Sequence, residues 1–196
     1  MTTDAPTDRL HFTGDEEADR LLVTEPMALL IGFALDQQVT VQKAFSGPLE
    51  LVRRIGTLDP YRIADMDPEE LSAIFRLVPA LHRYPASMAE RVQALARHIV
   101  DNYGGDARRV WADASDARDL QRRIAALPGF GDMKVRGLTA VLAKRLGVRP
   151  PGIDEVLPSH PTLGDVDSSA ALAEYQANKR AYKASQRAAA SESPTS

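Results

Sequence analysis

"LPGFGDMK", residues Leu127–Lys134, separates an Arg-rich helical pattern from a long pattern of Ala, Leu and Val. Gly129 and Gly131 permit the backbone angles of a tight hairpin, Leu127-Pro128 closes the helix before it, and Phe130 can tuck inward. Asp132 is placed to cap the helix that follows. Such a hairpin can be a plain interhelical turn. It also leaves several N–H groups unpaired at a helix N-terminus, where the dipole is positive, and that is an anion site. Glycine matters in the second reading because a Cβ would hold a phosphodiester off the amides.

Outward from the turn, almost every patterned segment reads as helix. Asp116–Leu127 precedes it and Met133–Leu146 follows, with Gly147 as C-cap. Ser87–Asn102 carries Met88, Val92, Leu95 and Ile99 close to one stripe, with Gly104-Gly105 beyond its end. Asp67-Pro68-Glu69-Glu70 is a cap and acidic first turn for a helix to about Leu77. Thr24 and Pro26 open a helix over Met27–Ala34, extended by "DQQVTVQKAF" to about Phe45. Gly47-Pro48 is expected to break it, leaving Leu49–Ile55 as a separate short helix ended by Gly56. After Gly147, "VRPPGIDEVLPSHPTLGDVD" has room for one or two helical turns, and Ala170–Ala184 reads as a final polar helix. Strand alternation is nearly absent, so the fold class is all-α. Residues 1–15 read as a flexible N-terminus, 16–184 as the helical domain with its hairpin at 118–147, and 185–196 as a flexible tail.

Composition narrows the function classes. The absence of cysteine excludes disulfides, thiolate zinc sites and iron–sulfur clusters. No apolar run reaches the roughly 20 residues of a membrane span, and the polar, acidic start is unlike a signal peptide, so a cytoplasmic location is expected. The chain carries −3 overall, yet Arg118, Arg122, Arg123, Lys134, Arg136, Lys144, Arg145 and Arg149 face only Asp119 and Asp132 in their segment. A basic region on an acidic body is the pattern of a localised anion-binding face, or else of solvated helix faces.

Four segments, in order, resemble the helix-hairpin-helix–GPD DNA glycosylase superfamily. "LPGFGDMKVRGLTAVL" is similar to its hairpin, and "PMALLIGFALDQQVTVQKA" to its first buried helix and Gln-bearing loop, closest to the alkylated-base branch. "LSAIFRLVPALHRYPASMAERVQALARHIVDNYGG" resembles its middle helix pair, and "PGIDEV" stands where the catalytic aspartate follows the hairpin. The resemblance covers about Thr24 to Val156, with a shortened C-terminus beyond. It implies two helical lobes around a cleft, and a monomer that extrudes a damaged base from double-stranded DNA and hydrolyses its N-glycosidic bond in base-excision repair. It implies nucleoid association and no required cofactor, with a Na+ or K+ at the hairpin carbonyls of Ala125, Leu127 and Phe130.

By the same resemblance, Gly129, Phe130 and Gly131 hold a backbone phosphate. Asp154 is the catalytic carboxylate, stabilising the sugar cation and orienting water, with Glu155 as its alternative. Bifunctional members carry a lysine nucleophile at the position of Met133. Lys134 comes one residue late, about 100° around the helix, so a monofunctional enzyme is expected, with Met133, Lys134 and Arg136 as DNA contacts. Gln37 and Gln38 match residues that fill the gap left by the extruded nucleotide, and Tyr84 matches a second intercalating position. Asp36 is an unexpected negative charge beside them. Trp111 and Phe33 read as core, and His82, His98 and His160 as surface or packing residues. A non-catalytic damage-recognition protein and a helical protein-interaction module are the alternatives.

Overall fold

The computed structural model describes residues 7–191. Among them the secondary structure is helical throughout. The first group is α1 (Glu16–Thr24), α2 (Pro26–Leu35) and α3 (Val41–Ile55). The second is α4 (Pro60–Asp65), α5 (Pro68–Arg76) and α6 (Pro85–Tyr103). Then come α7 (Arg109–Ala112), α8 (Ala117–Ala125), α9 (Asp132–Lys144), α10 (Ile153–Val156), a 3-10 turn (Leu163–Asp165) and α11 (Ser169–Ser191). No helix among the described residues is long and apolar enough to cross a membrane.

The expected cap holds α5, and α8 has one that the sequence reading did not single out. The side chain of Asp67 accepts from Glu69 N and Glu70 N, that of Asp116 accepts from Asp119 N, and Gly104 ends α6 in the left-handed region. α2 starts differently. Its cap is Glu25, accepting from Met27 N, while Thr24 ends α1.

α2 is the central element, buried from Met27 to Leu35. α3 lies against it at a distance set by two glycines. A Cβ on Gly32 would stand 2.5 Å from Cδ1 of Phe45, and one on Gly47 2.5 Å from Cδ1 of Leu35. Gly47-Pro48 does not break α3, which runs unbroken to Ile55 with Pro48 inside it. An internal proline costs a helix about 3 kcal/mol. Burial of Val41, Ala44, Phe45, Leu49 and Leu51 on one face offsets that cost.

Residues 7–15, read from the sequence as part of a flexible terminus, are built into this core. Leu10 and Phe12 are fully buried, and Phe12 meets Phe45 edge-on with centroids 4.9 Å apart. The buried carboxylate of Asp19 accepts the Phe12 and Thr13 amides, each at 3.0 Å. Residues 1–6 and 192–196 lie outside the described residues, and 185–191 continue α11.

The buried apolar residues form one continuous cluster, so the two expected lobes meet over a shared core. Past α9 the chain folds back closely. A Cβ on Gly164 would come within 2.6 Å of the Ala140 carbonyl, so the 3-10 turn lies directly on α9. α11 then docks through buried Leu172 and a pair of amide bonds, 2.6 and 3.4 Å, between Gln176 and Gln42 of α3. A cleft remains between α2, α9 and α11.

Candidate nucleic-acid interface and cleft

The hairpin turns through two short bonds, Leu127 N–H to Ile124 O and Phe130 N–H to Leu127 O, both 3.1 Å. Gly129 has φ +80° and Phe130 is buried. Gly131, in extended conformation, is the N-cap of α9; Asp132 is its first residue and makes no capping bond, contrary to the sequence reading. Among the described residues, the amides of Gly129, Gly131, Asp132 and Met133 therefore have no hydrogen-bond partner. A Cβ on Gly131 would meet nothing within 4 Å, so the amide face is open. Gly129 answers a different need: a Cβ there would lie 2.8 Å from Cδ of Arg91.

Arg91, on α6, had no motif to announce it. It lies over the hairpin and donates to Oε1 of Gln37, tying the hairpin to the loop between α2 and α3. In that loop Gln38 holds φ +57°, a left-handed conformation for a side-chain-bearing residue. Tyr84, 41% exposed, donates through its hydroxyl to Gln38 Oε1 at 3.1 Å. Gln37, Gln38 and Tyr84 thus share one surface next to the hairpin. Behind them sits His82, only 2% exposed, where the sequence suggested a surface or packing residue.

The cleft, of about 780 Å³, is lined by Phe33, Asp36, Met133, Lys134, His160 and Tyr175 among others. Phe33 combines cleft lining with core packing, its ring 5.1 Å from that of Phe45. Met133 is 73% exposed, a large apolar side chain at the cleft mouth. Lys134 points inward, its Nζ 3.1 Å from Ala34 O and 5.7 Å from the Phe130 ring centre. Burial, reinforced by Arg91 and opposed by Asp36, brings its ammonium down to about 8. Burial and the Asp36 carboxylate push the Tyr175 phenol up to about 12, so it stays a neutral donor. Arg136 and Lys179 add cations at the rim.

Asp154 is not brought to this cleft. It is 77% exposed, pairs with Arg149, and rides on α10, which is fixed to α8 through Ala117 N–H to Pro151 O at 2.9 Å. Glu155 is likewise exposed and does not line the cleft. Among the described residues, the carboxylate that faces the cleft is that of Asp36. Nor is the basic segment a uniform cationic face. Arg122 and Arg123 share Asp119, Lys144 pairs with Asp165, and Arg149 with Asp154. At the hairpin, the carbonyls of Ala125 and Phe130 accept no hydrogen bond among the described residues, and that of Leu127 accepts one. Each has a lone pair to offer a monovalent cation.

Comparison with known proteins gives one match. The family model described as HhH-GPD superfamily base excision DNA repair protein matches residues 31–191, which include the Gln loop, the hairpin, the cleft and α11. No curated protein and no solved structure matches.

Proposed function

The chain belongs to the HhH-GPD superfamily of base excision DNA repair proteins, and from that membership we propose that it is a DNA glycosylase working in the cleft between α2, α9 and α11. One observation carries this reading: open, unpaired hairpin amides stand beside a cleft that holds a carboxylate and a cation. The amides of Gly131, Asp132 and Met133 receive a backbone phosphate, aided by Arg136 and Arg91 and by a Na+ or K+ on the hairpin carbonyls. Gln38 and Tyr84 fill the gap left by the extruded nucleotide, and the damaged base lies against Phe33 and Tyr175. Asp36 stabilises the positive charge that develops on the sugar and orients the attacking water. It takes the part that the family resemblance gives to Asp154, whose carboxylate faces solvent and Arg149. The reaction is hydrolysis without strand cleavage, because Met133 replaces the amine of the bifunctional members.

A second reading is favoured by the burial of Lys134, whose amine is partly neutral near pH 8 in the cleft. A neutral amine there would attack C1′ as the N-glycosidic bond breaks and the base leaves, and the Schiff base so formed would expel the 3′ phosphate by β-elimination. Duplexes carrying uracil, alkylated purines, oxidised purines or deoxyinosine separate these readings. Hydrolysis predicts strand breaks only after alkali, lost in Asp36→Asn and kept in Asp154→Asn. The reverse loss would return the role to Asp154. Breaks without alkali, together with a borohydride-trapped adduct absent in Lys134→Gln, would establish the lyase. Binding without base release from any lesion would leave a damage-recognition protein.

A further inference from the structure

His82 makes three hydrogen bonds that join two loops far apart in the chain. Its Nε2 lies 3.1 Å from Leu35 O and 3.0 Å from Gln37 O, and its Nδ1 lies 3.0 Å from Tyr84 N. Two carbonyls require that Nε2 carry the proton, and the Tyr84 N–H requires a lone pair on Nδ1. The ring is therefore fixed as the neutral Nε2–H tautomer. Between the two accepting carbonyls the chain makes a tight turn, Gln37 N–H to Leu35 O at 2.7 Å around Asp36. The next residue, Gln38, is held left-handed. No local rule of the chain demands this loop shape. Tertiary contacts hold it, and His82 supplies the buried ones.

We propose that His82 is a positioning residue that clamps the α2–α3 loop to the α5–α6 loop, so that Gln38 and Tyr84 meet DNA as one rigid wedge. The proposal rests on the reading that these two side chains fill the gap left by an extruded nucleotide. Rigidity matters because each inserted side chain would otherwise lose its freedom at the moment of binding. The clamp is also sensitive to protonation. A second ring proton would sit on Nδ1 and face the Tyr84 N–H, replacing a hydrogen bond with a clash of donors. The charged groups facing the ring are Arg91 from α6 and Lys43 from α3, with the Tyr84 ring 6.1 Å away. The Asp36 carboxylate lies along the cleft. Burial, with the two cations, holds His82 below the ordinary imidazole range and keeps the clamp closed near neutral pH.

The test uses the full chain and a duplex with a tetrahydrofuran abasic-site analogue opposite 2-aminopurine, whose fluorescence reports a side chain entering the gap. An intact duplex measures the phosphate grip alone. His82→Phe keeps the ring's shape and none of its bonds; His82→Gln restores a donor for the two carbonyls. The clamp predicts that His82→Phe lowers the preference for the abasic duplex ~tenfold, the equivalent of one lost hydrogen bond, with intact-duplex affinity unchanged. It predicts recovery in His82→Gln. It also predicts that the wild-type fluorescence response fades as acidification protonates the ring, while that of His82→Gln does not. A folded His82→Phe with the full response would overturn the proposal. So would a wild-type response that stays constant while NMR shows the His82 ring taking its second proton. A wild type that binds both duplexes alike, without a fluorescence response, would instead remove the wedge reading beneath it. Amide exchange in the DNA-free protein then judges the clamp alone, which requires faster exchange at Tyr84 in His82→Phe and fails if the rates match.

Discussion

The two hairpin glycines serve different neighbours, and substitution separates them. Gly129 has φ +80° and Arg91 packed against the site of its missing Cβ. Gly129→Ala is expected to cost about 1–2 kcal/mol from the left-handed backbone alone and to displace Arg91. Gly131 has φ −82° and open space. Gly131→Ala should leave stability within about 0.5 kcal/mol while weakening binding to any duplex. Urea unfolding and fluorescence anisotropy measure the two effects; equal stability losses would contradict the assignment. Lys134 carries a pH signature. The folded protein releases its proton near pH 8, whereas the unfolded chain keeps it to about 10.4. Between these values the unfolded state binds more protons, so wild-type stability rises with pH as the buried ammonium is neutralised. Lys134→Met lacks that term. Its stability relative to wild type should be greatest at about pH 7 and decline toward about pH 10. A difference constant with pH would mean that the amine titrates as it does in water.

At the scale of elements, the contact between α2 and α3 depends on surfaces without side chains. A methyl on Gly32 would stand 2.5 Å from the Phe45 ring, which is wedged between Phe12 and Phe33 and has nowhere to turn. Gly32→Ala is expected to destabilise by about 1–3 kcal/mol through overpacking, despite alanine's better helix propensity. A thermal melt measures it, and an unchanged midpoint would show that the two helices can separate freely. The same packing explains why Pro48 is tolerated inside α3: local propensity lost to a buried face. α11 is the converse case. Its polar sequence promised little, yet Tyr175 and Lys179 form a wall of the cleft on a helix anchored by Leu172 and the Gln42–Gln176 pair.

For the whole molecule, pairing decides how much of the basic segment DNA can use. Four of its eight cations are tied to acids, and the cations left beside the hairpin and cleft are Arg136 and Lys134, joined by Arg91 and Lys179 from other helices. With about 0.9 counterions released per phosphate neutralised, the slope of log affinity against log salt on intact duplex should be about −3 to −4. The eight basic residues in the sequence would give about −7. A slope near the larger value would mean that the ion pairs open on binding.

The sequence by itself determined the all-helical class, the helices α5, α6, α8 and α9, the caps at Asp67 and Gly104 and the hairpin with its open amides, because each depends on residues within a turn or two of one another; it missed α1, α4 and α7 and ran α2 on through residues 36–40. It also carried the family, since the hairpin, the Gln loop and the turn before Met88 follow in order. Only the tertiary structure decided which side chains line the cleft. Asp36, Lys134 and Tyr175 meet there across 139 residues of chain, while Asp154 turns away to Arg149. A side chain's direction around its helix and the partner that neutralises it are set by packing between distant segments. For the same reason His82 and Arg91, without motif or local pattern, join the hairpin, the α2–α3 loop and the turn before α6 into one surface.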